Sequence, residues 1–296
     1  MKKTGHKTSR TILWILFFLG GIGFLIWAFF PRPFPVELAV AESGPYQQLV
    51  IEEGKTRAQD VFKILSPVDG NLKRIDLDPG DMVKKGDLLA EVEWPRPWPV
   101  NSPVDGRILR IHRESGGPIR RGDTIMEVAD PGALEVVSEI LTEDAIQIKT
   151  GASVRIESWG GCDPLSGKVR RIEPAAFTKV SALGIEEQRV NVIIDITSPD
   201  NQCEGLADGF RVHSHITTFE TDKALTIPTG ALFREGKEWA VFQVIEGRAK
   251  KTRVKISRRN PEKAMVESGL KAGDQVIVYP SDQVDEDSRV QAMHSS

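Results

Sequence analysis

Beyond residue 35 the chain is punctuated every few residues by Gly, Pro, Asp or Asn. Between these marks lie short segments rich in β-branched and aliphatic residues. Segments 154–157, 190–196, 212–217, 239–245, 252–256 and 275–279 alternate apolar with polar or stay apolar over four to seven positions. A period of two puts successive side chains on opposite faces of an extended chain, so these are expected as strands of sandwiches or barrels. One short helix is expected over 142–148, with Thr142 as its cap and Glu143 and Asp144 complementing its first turn. The sequence holds no long amphipathic helix and no heptad array beyond the N-terminal region.

The N-terminal region breaks the pattern. Residues 11–30, TILWILFFLGGIGFLIWAFF, carry no charge. At about 1.5 Å per residue such a helix spans about 30 Å, the hydrocarbon thickness of a bilayer. Lys2, Lys3, Lys7 and Arg10 precede it, which by the positive-inside rule holds residues 1–10 in the cytoplasm. Trp14 and Trp27 stand near its ends, where amphipathic rings favour the interface. A cleaved signal peptide is the competing reading. Against it, the apolar run exceeds the usual ~7–15 residues, and Pro-Arg-Pro-Phe-Pro follows in place of a small-residue cleavage site. An uncleaved anchor is expected, with the bulk of the chain across the membrane. Charge agrees with two environments. The net charge is −3, yet residues 1–36 hold five basic residues and no acid, leaving 34 basic against 42 acidic groups in the rest. That balance excludes a basic nucleic-acid binder, and 40% hydrophobic content excludes a disordered chain.

The middle of the chain contains an internal repeat. SPVDGNLKRIDLDPGDMVKKGDLLAEV (66–92) aligns without gaps on SPVDGRILRIHRESGGPIRRGDTIMEV (102–128), at an offset of 36, with 12 of 27 positions identical. Each copy reads turn, strand, turn, short strand, turn, strand. Gly70 and Gly106 follow Asp in a Pro-Val-Asp-Gly turn, while Gly80, Gly86, Gly116 and Gly122 supply positive φ, with Asp81, Asp87 and Asp123 following three of them. The Arg-Gly-Asp string at 121–123 is one of these turns. Two such units are expected to close about a pseudo-twofold axis as a flattened barrel.

GDMVKKGDLLAEVE followed by SPVDGRILRI resembles the biotinyl/lipoyl half-motif fold. That fold implies either a swinging-arm carrier or the adaptor, also called membrane fusion protein, of HlyD-type secretion and tripartite efflux systems. A carrier needs an exposed lysine on the hairpin between its halves. Here that connection is Glu93-Trp-Pro-Arg-Pro-Trp-Pro-Val-Asn101, and no lysine occurs between Lys85 and Lys149. The adaptor reading is therefore preferred, and the order of segments supports it. Residues 133–159, 167–196 and 205–216 resemble the adaptor's β-barrel, and 224–256 and 269–282 its membrane-proximal domain. The resemblance implies a mainly β chain. An N-terminal transmembrane helix (11–30) precedes nested domains: membrane-proximal (34–52 and 222–290), β-barrel (53–65 and 130–221) and lipoyl-like, a barrel-sandwich hybrid (66–129). It implies a periplasmic, inner-membrane-anchored homo-oligomer working with an ABC- or RND-type transporter, with hinges near 50–54, 63–66, 129–134 and 219–224. Most adaptors insert a long α-helical hairpin between the lipoyl halves to engage an outer-membrane channel. Here 93–101 replaces it, and proline at every second position forbids a helix. Its Trp94 and Trp98 are read either as rings that pack on the lipoyl barrel or as a rigid apolar tip suited to a partner surface.

Other candidate chemistry is sparse. Cys162 and Cys203 lie in loop-like contexts, and a bond between them would close about 40 residues, stabilising by roughly 4 kcal/mol in the chain-entropy model. Pairing and two free thiols both stand. His213 and His215 face the same way on a strand and are the metal candidates, but no third ligand accompanies them and no metal or other cofactor is expected. Arg248, Lys250, Lys251, Arg253 and Lys255 form a basic strip, read either as a contact for the membrane or a transporter or as a solvated strand face. No nucleophile spacing, acid/base pair or phosphate-binding loop is present, so no catalytic residue is assigned and no enzyme is expected.

Overall fold

The computed structural model describes residues 33–293 except 131, 162 and 200–204. The anchor segment 11–30, Cys162 and Cys203 thus lie outside the described residues. Among the described residues no helix is long and apolar enough to cross a membrane. What is described is mainly β and falls into two compact units. One comprises Gln47–Glu220, the other the chain on either side of it.

The first unit contains the repeat. One sheet runs in the order β3 (Val61–Leu65), β10 (Thr124–Ala129), β8 (Gly106–Ile111), β5 (Met82–Val83). A second runs β7 (Pro97–Asn101), β6 (Leu88–Glu93), β4 (Gly70–Leu72), β9 (Gly117–Ile119). A shift of 36 residues turns each sheet into the other, so each takes two strands from either half. Register repeats too: Thr124↔Leu65 and Val128↔Phe62 in one sheet become Leu88↔Asn101 and Val92↔Trp98 in the other. Even the bulge recurs, between Thr124 and Met126 and between Leu88 and Ala90. Residues of both sheets, among them Leu72, Ile108, Ile125 and Met126, form one core.

The same unit holds a closed barrel. Its order is β12 (Ser153–Glu157), β13 (Leu165–Ile172), β15 (Glu186–Ile196), β11 (Leu134–Leu141), β2 (Glu42–Ala58) and β16 (Arg211–Pro228). β16 returns to β12 with Val154 opposite Ile216, which removes the free edges. β14 (Phe177–Val180) pairs with β15 outside the ring. Ile140, Ile156, Val192, Ile194, Val212 and Ile216 fill the interior. A buried hydroxyl pair, Ser138 Oγ to Ser214 Oγ at 2.8 Å, sits among them. The expected helix is a single turn, α1 (Thr142–Ala145). Thr142 is its first helical residue rather than its cap: Leu141 holds the cap position and no side chain caps it.

The second unit takes up the far ends of the two long strands, β2 and β16. Beyond β16 its order is β20 (Lys263–Ser268), β19 (Arg248–Arg259), β18 (Glu238–Ile245), β21 (Gln275–Val278), β1 (Phe34–Val40) and β22 (Val290–Ala292), with β17 (Phe233–Glu235) beside β18. Two apolar clusters hold it, one around Ile227, Val241, Val254 and Val276, the other around Val36, Phe242, Ile277 and Val290. Strand β21 stops one residue before the sequence pattern does, because Tyr279 adopts a left-handed φ of 51°.

Candidate functional site

The turns of the repeat position the surface where a carrier would hold its lysine. Gly80, Gly86 and Gly122 each precede an aspartate in a left-handed turn. The aspartate carboxylate then accepts the backbone N–H three residues back: Asp81 from Asp78 at 2.9 Å, Asp87 from Lys84 at 2.8 Å, Asp123 from Arg120 at 3.1 Å. Glycine supplies the φ and the short carboxylate closes the loop. Gly116 is also left-handed, as expected, but Gly117 follows it in place of the capping aspartate. Gly70 and Gly106 have another role. A Cβ on either would lie 2.6 Å from Glu93 O or 2.7 Å from Ala129 O, so these glycines let paired backbones approach. The aspartates of the Pro-Val-Asp-Gly turns exchange across the pseudo-twofold: Asp69 accepts from Arg121 N at 3.0 Å and Asp105 from Lys85 N at 2.7 Å.

Between the halves stands a tight hairpin, β6 to β7, closed by Trp94 N–H donating to Arg96 O at 3.1 Å. Neither indole is buried: Trp94 is 65% exposed and Trp98 45%. The domain's interior is filled by other apolar side chains. Pro97 and Pro99 lie on β7, an edge strand, and remove two N–H donors that another strand would use. Beneath the tip Lys73 pairs with Glu91 and with Glu93, and these hydrogen bonds raise its pKa.

The barrel carries two charged clusters that sequence reasoning missed. Glu135 is buried and its carboxylate accepts from Arg57 and Arg170, while Arg170 also meets Asp195 at 3.1 Å. Nearby runs an open polar groove of about 740 Å³, lined by Glu52, Lys55, Glu139, Lys179, Arg189 and Arg211 among others. Its cations are largely paired: Arg189 with Glu52 and Glu187, Lys179 with Glu139, Arg211 with Glu53. Burial pulls the pKa of Arg189 down, but hydrogen bonds to Glu187 and Glu52 outweigh it and leave it raised. Residues 78 and 35 positions from Glu135 leave no local spacing to read.

His213 and His215 do project from the same side of β16, flanked by the buried Val212, Ser214 and Ile216. His215 Nε2 lies 3.2 Å from Glu157 on β12, and burial lowers its pKa against the pull of that carboxylate. Among the described residues no three His, Cys, Asp or Glu side chains come together to hold a metal. Along β19 the basic strip is exposed but compensated. Lys251 and Arg253 reach Glu235, Arg253 reaches Glu238, and Lys255 reaches Glu267. Arg248 donates to Asp287 O at 2.9 Å.

Comparisons with known proteins agree with this layout. The biotin/lipoyl family model, described as biotin-requiring enzyme, matches residues 63–128, the two-sheet domain. A model described as YknX, C-terminal permuted SH3-like domain matches residues 224–292, in the second unit. A Bacillus subtilis (strain 168) protein, "Putative efflux system component YknX", is 30% identical over 172 residues, 55% of this chain and 43% of that protein. These matches support the membrane fusion protein family. Solved folds extend the likeness. MacA from Actinobacillus actinomycetemcomitans matches over 82% of this chain and all of that chain, with a TM-score of 0.65 at 16% identity. A MacA-MexA chimera carrying the Pseudomonas aeruginosa MexA α-hairpin domain matches over 82% of this chain and 99% of that chain, with a TM-score of 0.58 at 17% identity. The chain spans less than half the length of the curated relative it matches. Where a carrier domain has its modified lysine it has Trp94-Pro95-Arg96.

Proposed function

We propose that the chain is a non-enzymatic adaptor subunit of a transmembrane export system. Residues 11–30 anchor it in the inner membrane with residues 1–10 in the cytoplasm and the bulk in the periplasm. It oligomerises and links an ABC- or RND-type transporter to an export path. Residues 34–52 with 222–290 form the membrane-proximal domain, 53–65 with 130–221 the barrel and 66–129 the lipoyl-like domain. The observation that carries the reading is a carrier fold without its chemistry: the half-motif repeat is intact to its register, and the position of the carrier amine holds a rigid proline hairpin. An efflux system component among its relatives supports the same reading. The basic strip contributes a contact with the membrane or transporter through the cations that Glu235, Glu238 and Glu267 leave available.

A specific observation favours a second reading, a membrane-anchored scaffold that docks no outer-membrane channel. Nine residues, 93–101, stand where a helical hairpin would be inserted. Cross-linking the tagged full-length protein in its own membranes, followed by mass spectrometry, tests both. Recovery of an ABC or RND permease supports the adaptor. Recovery of the chain with copies of itself alone supports the scaffold, and a biotin or lipoate mass on any peptide overturns both.

A further inference from the structure

The lipoyl-like domain and the barrel are joined by two strands that cross side by side. β2 pairs with β11 up to Ala58↔Leu134, and β3 pairs with β10 from Val61↔Ala129 onward. Only Gln59 and Asp60 on one strand, and residues 130–133 on the other, lie between these ladders. Gln59 N–H still donates to Ala133 O at 2.8 Å across that gap.

On its other side the end of β2 has no strand, because β16 begins only at Arg211. The segment before β16 fills the place. Thr56, 2% exposed, donates its hydroxyl to Ala207 O at 2.5 Å and accepts from Phe210 N at 2.8 Å. Its backbone N–H and C=O bond Phe210 O and Gly209 N, each at 2.9 Å. Two residues on, Ala58 N–H points where a strand partner would be and donates to Asp208 Oδ1 at 3.0 Å. The other oxygen, Oδ2, reaches Arg110 Nη2 of β8, in the lipoyl-like domain, at 3.3 Å. Arg110 also faces Glu127 at 3.5 Å. Gly205 and Gly209 bracket Asp208 with left-handed φ of 90° and 81°, which bends the segment back onto β2.

We propose that Thr56 and Asp208 form a clamp that fixes the angle between the lipoyl-like domain and the barrel, and that its release frees motion at 59–60 and 130–133. One carboxylate touches all three parties: the barrel segment 205–210, the crossing strand and the lipoyl-like domain. A buried N–H needs an acceptor, so Asp208 leaves Ala58 only if the crossing strand shifts as well. The clamp thus has two discrete states, and it does not depend on which transporter or export path the protein serves.

Spin-label distance measurements on the full-length protein test this. With Cys162 and Cys203 replaced by serine, labels at Met82→Cys and Ile146→Cys report across the two domains, and labels at Ile146→Cys and Leu183→Cys report within the barrel. These positions are exposed. In Asp208→Ala the cross-domain distribution gains a second population, with the open-to-closed ratio raised about tenfold, the scale of one lost hydrogen bond to a charged group. Thr56→Val gives the same second distance, and Asp208→Asn, which keeps an acceptor for Ala58, gives an intermediate ratio. A cross-domain distribution unchanged in Asp208→Ala and Thr56→Val overturns the proposal. So does equal broadening of the barrel-internal pair, which would mark local unfolding instead of a released hinge.

Discussion

Gly116 is the residue whose replacement is most revealing, because two separable costs meet there. Its φ is +75°, and holding an L side chain in the left-handed region costs roughly 1–2 kcal/mol. A Cβ would also lie 2.5 Å from Leu72 O and 3.0 Å from Arg74 N. Both are backbone atoms, held by Leu72↔Gly117 pairing between β4 and β9 and by the Ile75 N to Glu114 O bond of 3.1 Å. They cannot yield without breaking the ladder, so an overpacking cost of roughly 1–3 kcal/mol adds to the first. Gly122 isolates the conformational cost: its φ is +87°, and a Cβ there meets nothing within 4 Å. Gly122→Ala is expected to lose roughly 1–2 kcal/mol and Gly116→Ala roughly 2–5 kcal/mol. The assay is urea unfolding of the full-length protein followed by fluorescence, with Trp94 and Trp98 reporting from the domain concerned. With a slope of about 1 kcal/mol per molar urea for so small a domain, the midpoints differ by about 1–3 M. Equal midpoints, or a larger loss in Gly122→Ala, would refute the argument that the close approach of β4 and β9 is what demands glycine at 116.

Three further outcomes are expected. Glu135→Ala leaves Arg57 and Arg170 facing each other without their shared carboxylate, and a loss of roughly 2–4 kcal/mol is expected in barrel unfolding, with Glu135→Gln losing less. The pKa of His215 is lowered by burial, opposed by Glu157 and helped by Arg155 and His213, so the unfolded chain takes up its proton first as pH falls below 6.5. Stability contributed by the neutral ring is then present above that pH and lost below it; His215→Gln should flatten the slope of the melting temperature between neutral and mildly acid pH, and an unaltered slope would assign it elsewhere. Trp94→Ala should shift stability by less than about 0.5 kcal/mol, as for an exposed side chain, and Trp98→Ala by more; a melting temperature several degrees lower in Trp94→Ala would place that ring in the core.

What was legible in the chain follows from the range of the interactions concerned. The repeat was readable because its turns are local: a Gly-Asp pair closes on an N–H three residues away, so chemistry and spacing share one short window. Its edge strands were not. Residues 61–65 and 97–101 are equivalent in register, yet Val-Phe-Lys-Ile-Leu and Pro-Trp-Pro-Val-Asn share no residue, and the match survives only in kind, in the buried pair Ile64 and Val100 and the exposed aromatics Phe62 and Trp98. The short strands expected at 190–196, 212–217 and 239–245 exist but are pieces of longer ones, most of all in β16. Strand β2 went unread because Gly44, Pro45 and Gly54 interrupt its pattern. At Gly54 the reason is visible, since a Cβ would sit 2.5 Å from Ser138 Oγ in the barrel interior. The cap at Thr142 failed for a subtler reason. A hydroxyl residue before two acids fits the composition of a helix start, but β11 runs straight into the helix and leaves Leu141 at the cap. The charged clusters at Glu135 and Asp208 lay furthest from view. Their partners stand 78, 35 and 98 residues away, and nothing but barrel closure and the double crossing into the lipoyl-like domain brings them together. Local turn chemistry specifies the half-motif, therefore, while the features that join the domains depend on pairings which no sequence window contains.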